Sequence, residues 1–193
     1  MVAGVGGQGV VFLTSLLVKS ALLAKIQVAT SEIHGLTQRG GSVSASITFG
    51  NDTYGFLEKC GVDILFGLEP LEAQRCVSFL NKKSIVIIDN NRILPYDVNS
   101  GSVAYPDIEK FIHYLKKNIE KVIFITENQD ITKSILRDLY VLGRTCSEIN
   151  FPIQVEFIKK AIVEITREGY EEKGLEFFEL GLNRKKLITE QKH

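Results

Sequence analysis

Apolar and polar positions follow two rhythms along the chain. Ser42 to Phe49 keeps a period of two: Val43, Ala45, Ile47 and Phe49 fall on one face, and Ser44, Ser46 and Thr48 on the other. That is the mark of a half-buried strand. Gly50-Asn51-Asp52 reads as a turn after it, which predicts a hairpin near residues 42–57 with Thr53 to Leu57 as the returning strand. Val62 to Leu68 and Ser84 to Asp89 are short apolar runs of the kind buried on both faces of a sheet, and Val122 to Thr126 is a further strand. Met1-Val2-Ala3 and Ile26 to Ser31 add two further strand candidates. The helical rhythm takes over between them. Gln8 to Ala24 is small and apolar, Pro70 to Leu80 is a second helix candidate, and Pro106-Asp107 opens another. Ile108, Phe111, Ile112 and Leu115 repeat at i, i+3, i+4 and i+7, as do Ile131, Ile135, Leu139 and Leu142 in looser form. Past Pro152 the chain becomes strongly charged, with Val155, Ile158, Ile162 and Ile165 on one helical face.

Strands alternating with helices, several of the strands apolar on both sides, define an α/β fold: a mostly parallel, doubly wound, Rossmann-like sheet with C-terminal helices. Residues 1–193 read as a single domain, with 153–193 as a helical extension lying over the sheet or against another chain. Asn90 to Tyr105 is the longest irregular stretch and reads as a surface loop. No internal repeat or low-complexity tract interrupts the pattern.

Composition narrows the function. The 193 residues are 45% hydrophobic and 24% charged, average values for a globular chain. Lysine plus arginine and aspartate plus glutamate both number 23, so the chain lacks the basic excess of a nucleic-acid binder and does little to oppose self-association. Cys60, Cys76 and Cys146 stand singly; no pair has C-x-x-C spacing, and an odd count argues against a secreted disulfide framework. A reducing, cytoplasmic compartment is expected, with no metal site. The apolar stretch Val10 to Ile26 is broken by Lys19 and Lys25 and is too short for a span of about 20 residues, so no membrane contact is expected.

Gly4, Gly6 and Gly9 match G-x-G-x-x-G between a strand and a helix, with Gly7 as an extra glycine. Glycines let the backbone turn tightly against a ligand, and the amides at the helix start attract an anion. Strand-to-helix packing alone can also demand glycines, so the pattern leaves both readings open. Two features argue against a nicotinamide dinucleotide: Glu32 lies beyond the expected end of the second strand, and only three residues precede Gly4. The short first strand leads us to expect that the natural chain begins some residues earlier.

Thr30 to Ser42 is the most unusual stretch, setting Glu32, His34, Gln38 and Arg39 among Gly35, Gly40 and Gly41 immediately before the alternating strand. The bland reading is a turn held by polar contacts; the functional one is a ligand-facing loop. With the Gly4-Val5-Gly6-Gly7-Gln8-Gly9 loop, this stretch resembles the gamma-domain family of the 2-oxoacid:ferredoxin oxidoreductases. Ser31-Glu32-Ile33-His34-Gly35 leading to Gln38-Arg39-Gly40-Gly41-Ser42 is closer to its indolepyruvate branch. Asp63 to Ala73 and Phe177-Phe178-Glu179-Leu180-Gly181 extend the similarity over most of the chain.

The resemblance implies a small subunit of an enzyme that oxidatively decarboxylates a 2-oxoacid, indolepyruvate or another aryl pyruvate, to an acyl-CoA and passes electrons to ferredoxin. Thiamine diphosphate and iron–sulfur clusters would belong to a larger partner subunit, and ferredoxin would be reached through the complex. Coenzyme A is the candidate substrate contact for this chain, with the contact itself left open. The implied binding positions are Gly4, Gly6, Gly7, Gln8, Gly9, Glu32, His34, Gln38, Arg39, Gly40 and Gly41, with no catalytic residue. Two other readings stand beside this one: a stand-alone nucleotide- or NAD-binding module, and a structural subunit whose glycine loop binds nothing.

Arg39 gives the sharpest test. A guanidinium flanked by glycines presents a planar fork to a carboxylate or phosphate, which lysine cannot reproduce. In the reconstituted complex, Arg39→Lys is expected to lower turnover or coenzyme A affinity by at least about tenfold, with the melting temperature of the isolated subunit unchanged. Unchanged kinetics would reject the active-site role.

Overall fold

In a computed structural model, β1 (Val2–Val5) lies inside a six-stranded sheet with β2 (Val28–His34), β3 (Ser42–Phe49), β4 (Val62–Gly67), β5 (Leu80–Asp89) and β6 (Lys121–Ile125), ordered β2-β3-β1-β4-β5-β6. The structure describes all residues except 35–40, 52, 128–130, 132–133 and 191–193, and the side chains of 34 and 185–190 are also outside the description. β1, β4, β5 and β6 run parallel to one another, whereas β3 is antiparallel to β1, with Ser42 opposite Val5. Val86 and the next residue, Ile87, point to opposite faces of β5 and are both fully buried. The central strands are therefore covered on both sides, as their unbroken apolar runs predict.

The helices are α1 (Val10–Leu23), α2 (Pro70–Arg75), α3 (Tyr96–Asn99), α4 (Ile108–Asn118), α5 (Ser134–Glu148), α6 (Val155–Ile165) and α7 (Glu171–Glu190). Two starts are capped from the sequence itself. Glu69 caps α2 by accepting from the Glu72 amide ahead of Pro70 at the first turn, and Asp107 caps α4 by accepting from the Lys110 amide. None of the described helices is long and apolar enough to cross a membrane.

Two expectations need correction. Residues 53–57 form no strand, so there is no hairpin over 42–57. β3 already lies between β2 and β1, so neither of its edges is open to a third strand. The return is held by side chains instead: Ser46 Oγ donates to the Gly55 carbonyl, and Thr48 Oγ1 to the Tyr54 carbonyl at 2.8 Å. These hydroxyls are the polar half of the period-two pattern. The helix from Pro70 also stops five residues short of Leu80. Cys76 ends it, its amide shared between the Ala73 and Gln74 carbonyls, and a 3-10 turn at Val77–Phe79 delivers Leu80 straight into β5.

The chain forms two compact units, Met1–Val10, Thr30–Ser46 and Gly55–Glu127 in one and Val11–Ala29, Ile47–Tyr54 and Asn128–His193 in the other. In the first, Ala3, Leu65, Val86 and Ile88 pack with Ala73 of α2 and Ile108, Phe111, Ile112 and Leu115 of α4. Gly67 lets α2 approach, since a Cβ there would lie 2.5 Å from that of Ala73. In the second, α7 lies against α5 almost backbone to backbone. A Cβ on Gly143 would meet the Phe178 carbonyl oxygen at 2.0 Å, and one on Gly181 the Tyr140 carbonyl oxygen at 2.2 Å. Lys159 of α6 pairs with Glu179 of α7 at 2.6 Å on the rim, an exposed pair of the kind that contributes roughly 0–1 kcal/mol. Helix contact through the two glycines dominates.

That contact leaves no room for even one carbon. Gly143→Ala and Gly181→Ala should each destabilise the protein by at least about 2 kcal/mol by forcing the helices apart, read as a lower midpoint in urea. The exposed Lys159→Ala should shift the midpoint far less.

Candidate functional site

β1 and β4 are adjacent and parallel, yet the chain leaves them in opposite directions: β1 leads through α1 toward β2 on one side, and β4 through α2 to β5 on the other. In an open α/β sheet the carboxyl ends of two such strands border a natural binding crevice. The glycine loop follows β1 at this point and Leu68-Glu69-Pro70 follows β4.

The loop's glycines do different work. Gly7 and Gly9 both have φ of +94°, a region closed to most side chains, while Gly4 has ordinary backbone geometry. Gly4 is instead a packing position: a Cβ would lie 3.0 Å from Val10 Cγ2, 3.1 Å from Gln8 Oε1 and 3.2 Å from Leu68 Cβ. Gly7, which the motif counts as surplus, is therefore one of the two residues on which the turn depends. The Gly6 amide donates to the Gly41 carbonyl at 2.9 Å and the Gln8 amide to the Val5 carbonyl at 2.9 Å. Among the described residues, the Gly7 and Gly9 amides remain as donors for an anion at the opening of α1.

Gln8 is buried, and its amide group is engaged on three sides. Oε1 accepts from the Val5 amide at 2.8 Å, while Nε2 donates to the Leu68 carbonyl at 3.3 Å and the Asn91 carbonyl at 3.1 Å. Its role here is to shape the loop and stitch it to the ends of β4 and β5. Gly41 is brought against the glycine loop by its bond to Gly6 and by the antiparallel register of β3. Glu32 stands exposed on β2, and His34 ends that strand. Gln38, Arg39 and Gly40 lie outside the described residues.

Several residues at this edge carry no sequence signature of a site. Glu69 is fully buried; besides capping α2 it accepts the Tyr105 hydroxyl in a short hydrogen bond. Burial, then the hydrogen bond and charge of Glu69, push the Tyr105 phenol well above its ordinary range. The folded-state pKa is raised, so this contribution to stability is complete below the ordinary tyrosine value near 10 and fades only in stronger alkali. Arg92 stacks over the Tyr105 ring at 5.7 Å and donates through Nε to Asn90 Oδ1 at 2.9 Å, leaving a guanidinium at the carboxyl end of β5. In the sequence, Glu69 was legible only as part of the Asp63 to Ala73 similarity.

The comparisons with known proteins agree with this architecture. The family model for pyruvate ferredoxin/flavodoxin oxidoreductase matches residues 1–184, and the chain belongs to that family. A curated relative, indolepyruvate oxidoreductase subunit IorB of Archaeoglobus fulgidus, is 31% identical over 186 residues, 95% of this chain and 92% of its own. The gamma subunit of keto/oxoacid ferredoxin oxidoreductase from Geobacter sulfurreducens has the same fold, with a TM-score of 0.64 at 18% identity over 94% of both chains. A 2-oxoglutarate:ferredoxin oxidoreductase from Magnetococcus marinus, solved with 2-oxoglutarate, coenzyme A and succinyl-CoA bound, matches with a TM-score of 0.65 and 14% identity. It covers 93% of this chain and 29% of that longer one.

Gly7→Ala isolates the backbone term, because nothing lies within 4 Å of the added carbon. A loss of about 1–2 kcal/mol in urea unfolding is expected from the positive φ alone, and Gly7→Asn should lose less. Equal stability of wild type and Gly7→Ala would mean that the turn is not held as described.

Proposed function

We propose that this chain is the small, gamma-type subunit of a 2-oxoacid:ferredoxin oxidoreductase acting on indolepyruvate or another aryl pyruvate. The observation that carries the reading is family membership over residues 1–184, together with a relative of nearly equal length named as an indolepyruvate oxidoreductase subunit. Residues 1–193 are read as one such domain with 153–193 as its helical extension, a reading supported by the way the two compact units interleave along the chain.

In this reading the crevice beside β1 and β4 takes the diphosphate of coenzyme A. The fit rests on the Gly7 and Gly9 amides at the start of α1 and on the Arg92 guanidinium nearby. A coenzyme A-bound relative with the same fold supports the choice of ligand. Gly4, Gly6 and Gln8 would shape the cradle, and Glu32, His34, Gln38, Arg39, Gly40 and Gly41 are proposed as further binding positions. No described side chain is assigned a proton transfer.

Thiamine diphosphate and iron–sulfur clusters would supply decarboxylation and electron transfer from a larger partner chain. The described residues hold no group of three metal-ligating side chains. Cys76 is buried, and burial pushes its thiol up to about 11, which disfavours the thiolate that a cluster would need. The complex would hand electrons to ferredoxin and work in the cytoplasm. The alternative of an isolated NAD-binding module is not favoured by the relatives.

The test is purification from the native source, followed by mass spectrometry and metal analysis. A larger, cysteine-rich chain carrying iron and thiamine should copurify, and the chain produced alone should contain neither. A brown isolated subunit with stoichiometric iron and sulfide would overturn this division of labour.

A further inference from the structure

The loop from Asn91 to Tyr105 leaves the carboxyl end of β5 and returns to the start of α4 with little apolar burial to hold it. Ile93, Leu94, Tyr96 and Val103 are 38%, 42%, 83% and 60% exposed. Its interior is stabilised only locally, by the short helix α3, the Asn99 side-chain bond to the Leu94 carbonyl and the left-handed Gly101. A loop built this way takes its order from its ends.

Both ends are tied to the crevice. At the first, the Asn91 carbonyl accepts from Gln8 Nε2 at 3.1 Å. At the second, the Tyr105 hydroxyl donates to the buried Glu69 carboxylate, which in turn caps α2. Arg92 over the Tyr105 ring draws the two ends together. Of these ties, only Gln8 reaches into the glycine loop, where the same amide group also receives the Val5 N–H and binds the Leu68 carbonyl.

We propose that Gln8 is a positioning residue that couples the glycine loop to the 91–105 loop, so that the order of the apolar loop depends in part on the glycine loop holding its turn. A ligand that tightens the glycine loop then tightens the 91–105 loop through one side chain. This second statement rests on the coenzyme A reading above; the first does not. A hydrophobic residue of similar volume at position 8 fills the space yet supplies none of the three hydrogen bonds.

Hydrogen–deuterium exchange on the full chain, resolved by peptide, provides the test. In Gln8→Met the amides of 91–105 should exchange at least about tenfold faster, while those of α5 and α7 keep their protection. Gly4→Ala, whose Cβ crowds Gln8 Oε1, should loosen the same loop independently. Tyr105→Phe should loosen residues 100–105 and leave the glycine loop protected. Unchanged protection of 91–105 in Gln8→Met would overturn the proposal, and so would loss of protection throughout the molecule in both variants at position 8 and position 4. Coenzyme A as the added probe should slow exchange in both loops of the wild type and in the glycine loop alone of Gln8→Met. If it slows neither loop in the wild type, the ligand reading fails while the ligand-free comparison still decides the role of Gln8.

Discussion

Antiparallel pairing of β3 with β1, Ser42 opposite Val5, is the constraint on which the candidate site depends. β1 ends where β3 begins, so the loop leaving one strand and the segment entering the other meet at the same edge of the sheet. The Gly6 amide on the Gly41 carbonyl is the hydrogen bond that registers this meeting. Were β3 parallel to β1, its entrance would lie at the opposite edge. The length of the sheet would then separate two motifs that the fold holds side by side.

Across the crevice the stitching is done by polar groups taken out of water. Gln8 and Glu69 are both buried, and each makes hydrogen bonds that tie one chain segment to another. A buried amide or carboxylate left unmatched costs several times what one hydrogen bond contributes net. Such residues therefore add modestly to stability when satisfied and specify the arrangement strongly. This is the economy expected at a ligand-facing edge, where apolar packing cannot close the structure without filling the site.

The second compact unit is held differently. α5 and α7 meet at Gly143 and Gly181 with carbonyl oxygens where side chains would otherwise be, and Leu139 and Ile162 close around Gly174. Close backbone approach gives a long contact with few rotamers to order. The charged sequence after residue 152 thus carries a helix fitted tightly to α5. One of its charges is turned inward, where Arg184 donates to the buried Tyr140 hydroxyl at 2.9 Å, while Glu179 pairs with Lys159 of α6.

Much of the fold follows from local chemistry. β3 was legible to the residue because its alternation is strict, and α4 because Asp107 caps a clean apolar stripe. The glycine loop and its place between strand and helix were equally plain, as was the family resemblance they carry. What local chemistry could not decide was who pairs with whom. The returning segment 53–57 looked like a strand until β1 and β2 occupied both edges of β3, and α2 ended early because Leu80 was needed in β5. The work of Gly7 was hidden because a motif counts spacing, whereas φ belongs to the folded turn. Gln8 read as a ligand contact because its amide could face either way. Only the tertiary structure, by bringing Leu68 and Asn91 within reach of one nitrogen, decided that it faces inward. Sequence determines which elements form through contacts a few residues apart; pairing partners and the direction of a polar side chain depend on groups 60 and 83 residues away.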